Sequence, residues 1–369
     1  MNLRFTDYNS PCTSFSYNDV DHVFNIFDEN GNCVTDCISP LDLNQEFDYK
    51  NFELHLLKND RKDFSENSIY QVKVDEVRIG WIFPLQALLS DQHDFATNKF
   101  FLNYAYVAYN ILLDRIHEQN QRESNSTLLL SDYYDINSVL LLIDKENILN
   151  IDGFDINNYW VSLFMYGYSC FGHGNCISES VNIDKHIHLK SISNDLNKSE
   201  YINLVFLKNL STVNYHDEED RLYYENERVY VFHTLYQIIE LMISIILDIR
   251  IVDIVNEIHD NPTDLFNIKE ELNEVSKEGN RIAYLFSTYT NPDKEDCSVL
   301  RDLCIKFLSE NNEKIKKENV SFLLYQVRCL IFHKMYSVDE SSLCILEDIN
   351  KVFTDIVLDM IISFESKPL

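Results

Sequence analysis

Residues 229–260 of the chain, VYVFHTLYQIIELMISIILDIRIVDIVNEIHD, are apolar along most of their length. This pattern predicts one long helix with a buried face, which ends at Asn261-Pro262 because proline cannot continue a helix. The polar residues spaced through the run are too frequent for a membrane span. They are His233, Gln237, Glu240, Asp248 and Arg250.

Four further helical segments follow this one and are joined by short polar turns. In the fourth of the five, apolar residues recur at three- and four-residue steps, as on the buried face of a helix. Five consecutive helices predict a bundle. The four segments cover Asp264 to about Thr288, Cys297 to about Ser309, Glu318 to Tyr336, and a last stretch that starts at Asp339 or Ser341.

The N-terminal part of the chain has a different pattern. Its first 80 residues are rich in strand signals, with a hairpin turn at Asp28–Gly31 and a half-buried strand over Ser68–Ile79. A helical pattern runs from Pro84 to about Gln121, and another strand is predicted at His186–Ile192. We therefore predict an α+β protein, with a mixed N-terminal sensing or binding domain over residues 1–205 and a helical bundle over residues 206–369.

Composition limits the functional classes. The 60 acidic and 31 basic residues give a net charge of −29, which argues against non-specific coating of DNA. Nine cysteines and a polar N-terminus favour a reducing cytoplasm without membrane insertion. The sequence has no Walker loop, no Rossmann fingerprint and no G-x-S-x-G, so nucleotide hydrolysis and serine chemistry are poor hypotheses.

Two motifs give the C-terminal part a resemblance to a known family. One is Arg328-Cys-Leu-Ile-Phe-His333 on the helix before the last, similar to an R-x4–6-H motif, and the other is Phe232-His-Thr-Leu-Tyr-Gln-Ile-Ile-Glu240, similar to an aromatic-Tyr-Gln-x-x-Glu opening. With the order of the helices, these motifs make residues 205–365 resemble a HEPN domain. This helical family is common among bacterial toxins, antiviral nucleases and the RNase lobes of CRISPR effectors.

The resemblance implies a metal-independent endoribonuclease that acts in antiviral or abortive-infection defence. His333 would move protons and Arg328 would neutralise the phosphorane while the RNA 2′-hydroxyl attacks. The expected products are a 2′,3′-cyclic phosphate and a 5′-hydroxyl, and we expect no cofactor. Glu240 and Lys334 are auxiliary candidates, and the RNA-binding candidates are Lys314, Lys316 and Lys317.

The resemblance also implies partners and leaves two alternatives. A toxic nuclease needs restraint, so we expect a homodimer or larger defence complex with a regulatory or inhibitory partner. The family's arginine is usually followed by Asn, Asp or His, but Cys329 follows here, which favours a catalytically silent scaffold or dimerisation subunit. The other alternative is an unrelated helical adaptor with an accidental motif.

Several candidate residues also have ordinary structural interpretations. A second match, Arg228-Val-Tyr-Val-Phe-His233, shows that the spacing alone is weak evidence, and we interpret this second pair as structural. A run of lysines is commonly a solvent-exposed face. A carboxylate on a buried helix, such as Glu240, is commonly paired with a neighbouring side chain.

A glycine-rich segment is the last candidate site. Cys170-Phe-Gly-His173-Gly-Asn-Cys176 contains three residues that could bind zinc, but this spacing is not a standard one. A zinc knuckle, another functional loop and a plain turn all remain open.

Overall fold

The protein has a mixed α/β architecture in a computed structural model. The chain forms two compact units: Met1–Asp155 with Tyr166–Cys170 and Val181–Leu189, and Ile156–Met165 with Phe171–Ser180 and Lys190–Leu369. Residues 190–205 belong to the second unit, whereas the sequence-based boundary assigned them to the first domain. The structure describes residues 14–18, 23–27, 33–38, 49–59, 61, 63–88, 92–96, 98–119, 133–135, 137–171, 183, 186–196, 199–211, 221–260, 265–335 and 338–366.

The first unit contains two sheets. Strands β1 (Ser14–Asn18), β2 (Val23–Phe27) and β3 (Cys33–Ile38) form an antiparallel sheet in that order. The predicted turn at Asp28–Gly31 lies outside the described residues, but β2 and β3, which flank it, pair antiparallel.

The second sheet has six strands in the order β8-β4-β7-β6-β5-β9. Neighbouring strands in this sheet are antiparallel, except that β5 and β9 are parallel. Helix α1 (Lys99–Gln119) packs on one face of this sheet, where Phe101 lies edge-on to Trp81 and Phe83 with ring centroids 5.6 and 5.1 Å away. The strands are β4 (Phe52–Asn59), β5 (Tyr70–Val74), β6 (Val77–Pro84), β7 (Val139–Asp144), β8 (Tyr168–Ser169) and β9 (His186–Leu189).

Two predictions for this unit are wrong in detail. The single strand predicted over Ser68–Ile79 is a hairpin, because Asp75 takes a positive φ of 52° and turns the chain between β5 and β6. The helix predicted from Pro84 begins only at Lys99, since residues 77–84 form β6 and a 3-10 turn, Leu85–Leu88, follows. The strand predicted at His186 is confirmed and ends at Leu189.

The second unit is helical, and four of the five predicted segments are confirmed as single helices. The second segment is broken at Lys277, whose extended backbone (φ −76°, ψ 119°) divides it, and its second part continues as a π-helical turn, Leu285–Tyr289. The long helices are α6 (Arg221–Asp260), α7 (Leu265–Ser276), α8 (Glu278–Tyr284), α9 (Lys294–Glu310), α10 (Val320–Lys334) and α11 (Leu343–Ser363). The shorter helices are α2 (Lys145–Ile148) in the first unit, and α3 (Trp160–Met165), α4 (Ser199–Tyr201) and α5 (Lys208–Ser211) in the second, with a π-helical turn, Ile202–Leu207, between the last two.

Helix α11 is the central element of the helical core. It packs against α6 and α9, and α9 also packs against α10. Phe353 on α11 is fully buried, with its ring centroid 5.7 Å from that of Phe232 on α6. Helix α10 buries the predicted stripe, which leaves its remaining face available for other contacts. In the part of the chain that the structure describes, no helix is long and apolar enough to cross a membrane.

Candidate functional site

Arg328 is the centre of a cluster between helices α6 and α10. Its Nη2 donates to Glu240 Oε1 at 3.1 Å, and its Nη1 lies 3.4 Å from His333 Nε2. Asn319 starts α10, because its side chain accepts a hydrogen bond from the Phe322 amide. The fold thus brings Arg328 into direct contact with two other predicted site residues, His333 and Glu240.

Aromatic rings surround the guanidinium of Arg328. Its Cζ lies 5.1 Å from the Phe332 ring centroid and 5.6 Å from that of Tyr236, both within the range of a cation–π contact. The Tyr236 hydroxyl donates to Glu278 Oε1 on α8 at 2.9 Å. Burial and the Glu278 carboxylate raise the pKa of Tyr236, so its phenol stays protonated. Tyr236 therefore packs against Arg328 as a neutral side chain, held in place by its hydrogen bond to Glu278.

The charge of Arg328 is balanced by nearby carboxylates. Burial acts to lower the pKa of Arg328, but Glu278 and the hydrogen-bonded Glu240 outweigh it and raise that pKa. The side chain is 21% exposed, and its Nε is buried with no acceptor among the described residues. The guanidinium is permanently charged and held in one orientation, and Nη1 and Nη2 each carry a second N–H beyond the contacts described above.

His333 lies on the exposed side of the cluster. It is near the end of α10, next to Phe332, whose side chain is 39% exposed. An exposed imidazole beside a fixed guanidinium can accept a proton from a group that approaches from solvent.

The cluster contains a second histidine, His233, for which the sequence predicts a structural role. The His233 ring centroid lies 4.9 Å from that of Phe332, and Gln237 Nε2 lies 3.0 Å from His233 Nε2. His233, Gln237 and Glu240 occupy positions i, i+4 and i+7 of α6, and therefore share one face of the helix. This polar stripe in an otherwise apolar helix is the sequence signal that could have identified His233 as part of the cluster.

Arg228 lies apart from its sequence partner His233. Its Nε and Nη2 both donate to Glu347 Oε2 on α11, at 3.1 and 3.0 Å. Its backbone carbonyl also accepts from the Asn350 side chain at 2.8 Å. Arg228 thus joins α6 to α11, and the two members of the second Arg/His match have different surroundings.

The predicted basic residues lie on the loop before α10 and at the end of that helix. The Gln326 side chain forms two hydrogen bonds with this loop. It accepts from the Lys316 backbone amide at 3.3 Å and donates to the Lys314 carbonyl at 3.1 Å. The side chains of Lys314, Lys316 and Lys317 are exposed, and Lys317 Nζ lies 3.9 Å from the Phe322 ring centroid. Lys334 pairs with Glu313 at 2.5 Å.

Cys329 follows the arginine and is partly buried. Its thiol lies beside the Tyr325 hydroxyl, and the pKa of Tyr325 is raised by Cys329 first and by burial second. The position that is usually polar in the resembled family is thus packed against a tyrosine of the same helix.

The candidate zinc segment is described only at its start. Cys170 is partly buried, and burial raises the pKa of its thiol to about 12, which disfavours the thiolate that zinc requires. His173 and Cys176 lie outside the described residues. Among the residues that are described, no group of three or more histidines, cysteines and carboxylates has the geometry of a metal site.

Comparisons with known protein families, curated proteins and solved structures find no match to this chain.

Proposed function

We propose that the helical unit is a metal-independent endoribonuclease that acts as an effector of antiviral or abortive-infection defence. The observation that carries the proposal is the contact of Arg328 with both His333 and Glu240. Residues from two motifs almost 90 positions apart meet in one cluster, and both motifs were selected by the resemblance to a HEPN domain. A fixed guanidinium beside an exposed imidazole suits cleavage of a phosphodiester.

The chemistry needs little beyond these groups because RNA carries its own nucleophile. His333 would take the proton of the 2′-hydroxyl, and Arg328 would balance the charge that develops on the phosphorane oxygens. Glu240 would hold the guanidinium in the orientation that faces the phosphate. Lys314, Lys316 and Lys317 would attract the RNA backbone in a chain that is otherwise strongly acidic.

An exposed apolar strip supports the proposed homodimer or larger complex. Ile251, Val252, Val255 and Ile258 on the last turns of α6 are between 36% and 58% exposed. Their spacing places them along one side of the helix. Apolar side chains grouped in this way mark surfaces that bind another protein more often than single exposed ones do. We propose that this strip binds a second copy of the chain or another subunit of the complex.

One observation favours a second function, a catalytically silent scaffold or dimerisation subunit. Arg328 has two carboxylates near its guanidinium, Glu240 in contact and Glu278 close enough to raise its pKa. These carboxylates compete with a phosphate for the same charge. Cys329, packed beside Tyr325, supplies no polar group for orientation of the site. In this function the cluster would serve only to join α6, α8 and α10.

Expression in bacteria separates the two functions. We would compare wild type with His333→Ala and with His188→Ala, a matched control because His188 is an exposed histidine on β9 of the first unit. Growth and total RNA integrity are followed with and without phage. The nuclease proposal predicts that wild type and His188→Ala degrade RNA and arrest growth or protect against phage, whereas His333→Ala does neither at equal protein level. If all three proteins protect equally and leave RNA intact, the nuclease proposal is wrong and the scaffold proposal gains.

A further inference from the structure

We propose that His233 is a second catalytic residue of this site, the general acid that protonates the 5′-oxygen leaving group while His333 acts as the general base. The inference rests on the proposed RNA cleavage. Both proton transfers would then be carried out by residues of the same chain, one histidine from α6 and the other from α10.

The two histidines are linked through Phe332 and Arg328. The Phe332 ring lies 4.9 Å from the His233 ring and 5.1 Å from Arg328 Cζ, and Arg328 in turn contacts His333 at 3.4 Å. His333 and Phe332 are exposed, and His233 is partly exposed. In the proposed reaction a phosphodiester bound by Arg328 would lie between the two imidazoles, because attack and departure occur on opposite sides of phosphorus.

Arg328 occupies one ring nitrogen of His333. An arginine guanidinium has donors only, so in this contact the Nε2 of His333 is the acceptor. A phosphate that binds Arg328 would take the place of this contact and leave the Nε2 lone pair free to accept the proton of the 2′-hydroxyl, as a general base must.

The partner of His233 allows both protonation states. Gln237 Nε2 lies 3.0 Å from His233 Nε2, and a glutamine amide offers a donor on one side and an acceptor on the other. Rotation of the amide by half a turn exchanges the two, so Gln237 can accept from a protonated His233 or donate to a neutral one. A general acid must change between these forms in each turnover. Of the two imidazoles, His233 therefore has the partner that suits the acid.

His333 takes the proton of the 2′-hydroxyl, the 2′-oxygen forms a bond to phosphorus, and the bond from phosphorus to the 5′-oxygen breaks. His233 gives its proton to that 5′-oxygen. The products are a 2′,3′-cyclic phosphate and a 5′-hydroxyl, and the two histidines end with their protonation states exchanged. Solvent restores them.

A leaving-group substitution tests the assignment directly. The full chain is assayed on an RNA oligonucleotide and on the same oligonucleotide with sulfur at the bridging 5′ position, because a thiolate leaves without protonation. We expect His233→Ala to cut ordinary RNA about 100-fold or more slowly than wild type, a typical loss for a general acid, and to cut the 5′-thio RNA at close to the wild-type rate. His333→Ala should be slow on both substrates.

A pH–rate profile gives a second readout that a structural role would not produce. A general acid must be protonated, so the wild-type rate falls as pH rises through its pKa. Loss of the acid removes this descending limb and leaves the ascending limb of the base. His233→Gln, which keeps a polar partner for Gln237, serves as the second variant if His233→Ala melts at a lower temperature.

Three results would overturn the inference. His233→Ala at full activity on ordinary RNA removes any catalytic role for His233. Equal losses on the two substrates for both His233 variants assign His233 to packing or to another step. A wild-type chain that cuts neither substrate defeats the proposed function itself, and that outcome is distinct from a failure of His233 alone.

Discussion

Neutralisation of Glu240 tests whether Arg328 binds phosphate. Glu240→Gln keeps an oxygen that can accept from Arg328 Nη2 but removes the negative charge 3.1 Å away. For two charges about 4 Å apart, the attraction is about 4 kcal/mol at an effective dielectric of about 20 and about 1 kcal/mol in water. The Glu240 side chain is 44% exposed, so the lower figure applies and matches measured exposed pairs.

About 1 kcal/mol corresponds to about a five-fold change in affinity. We therefore expect Glu240→Gln to bind RNA about five-fold more tightly, because the phosphate no longer competes with a carboxylate for the guanidinium. The assay is fluorescence anisotropy with a labelled RNA whose 2′-hydroxyls are methylated, so that no cleavage occurs. In the cleavage assay the same variant should lower KM, whereas Glu240→Ala, which leaves Arg328 unsupported, should lower kcat.

The control is Glu270→Gln, which makes the same change in net charge at an exposed position of α7. Any gain that comes from overall charge will be the same in the two variants. If Glu240→Gln and Glu270→Gln bind RNA equally well, Arg328 does not contact the phosphate and our interpretation of the cluster is wrong. The difference should also shrink at high salt, since partly exposed charges are screened.

Three further predictions concern stability and assembly. Gly80→Ala should destabilise the first unit by about 3 kcal/mol, because a Cβ there would lie 2.0 Å from the Leu142 carbonyl oxygen, and thermal unfolding measures the loss. Asp359→Asn should raise the melting temperature at neutral pH. Burial raises the pKa of Asp359 in the folded protein. The wild-type carboxyl therefore contributes stability below the ordinary aspartate pKa, and this contribution is lost as pH rises through the raised pKa of the folded state. A higher melting temperature of the variant that persists in acid would contradict this. Val252→Asp combined with Val255→Asp should convert the proposed homodimer to a monomer in light scattering, since both side chains are 58% exposed, and an unchanged dimer mass would exclude the strip as the interface between two copies of the chain.

The helical unit was predictable because its apolar residues follow a regular period over long segments. Helix α10 buries the stripe that the sequence indicated, and α6 ends at Asp260, immediately before Asn261-Pro262. The break at Lys277 was missed since an extended residue without glycine or proline leaves no clear signal.

The first unit was harder to predict because its signals are ambiguous. The turn at Asp75 contains no glycine, and the alternation of β5 continues through it into β6, so the hairpin reads as one strand. Residues 79–84 are all buried, and a run that is apolar on every side has no period to distinguish strand from helix.

The site was predictable in part. The contact of Arg328 with Glu240 joins residues 88 positions apart, and only the family resemblance suggested that both mattered. For His233 the sequence predicts a structural role, because its match with Arg228 lies at the start of the first bundle helix and the resembled motif belongs on a later helix. Its place in the cluster depends on how α6 faces α10, and a periodic pattern does not reveal that orientation.

The chemical ends of the cleavage products distinguish attack by the RNA 2′-hydroxyl from hydrolysis by water. Purified full-length protein is incubated with RNA in the presence of a metal chelator, and the fragments are identified by mass spectrometry. Cleavage by Arg328 and His333 should give fragments with 2′,3′-cyclic phosphate and 5′-hydroxyl ends, none when the 2′-hydroxyls are absent, and none with His333→Ala. Fragments with 3′-hydroxyl and 5′-phosphate ends, or equal cleavage by His333→Ala, would contradict this mechanism.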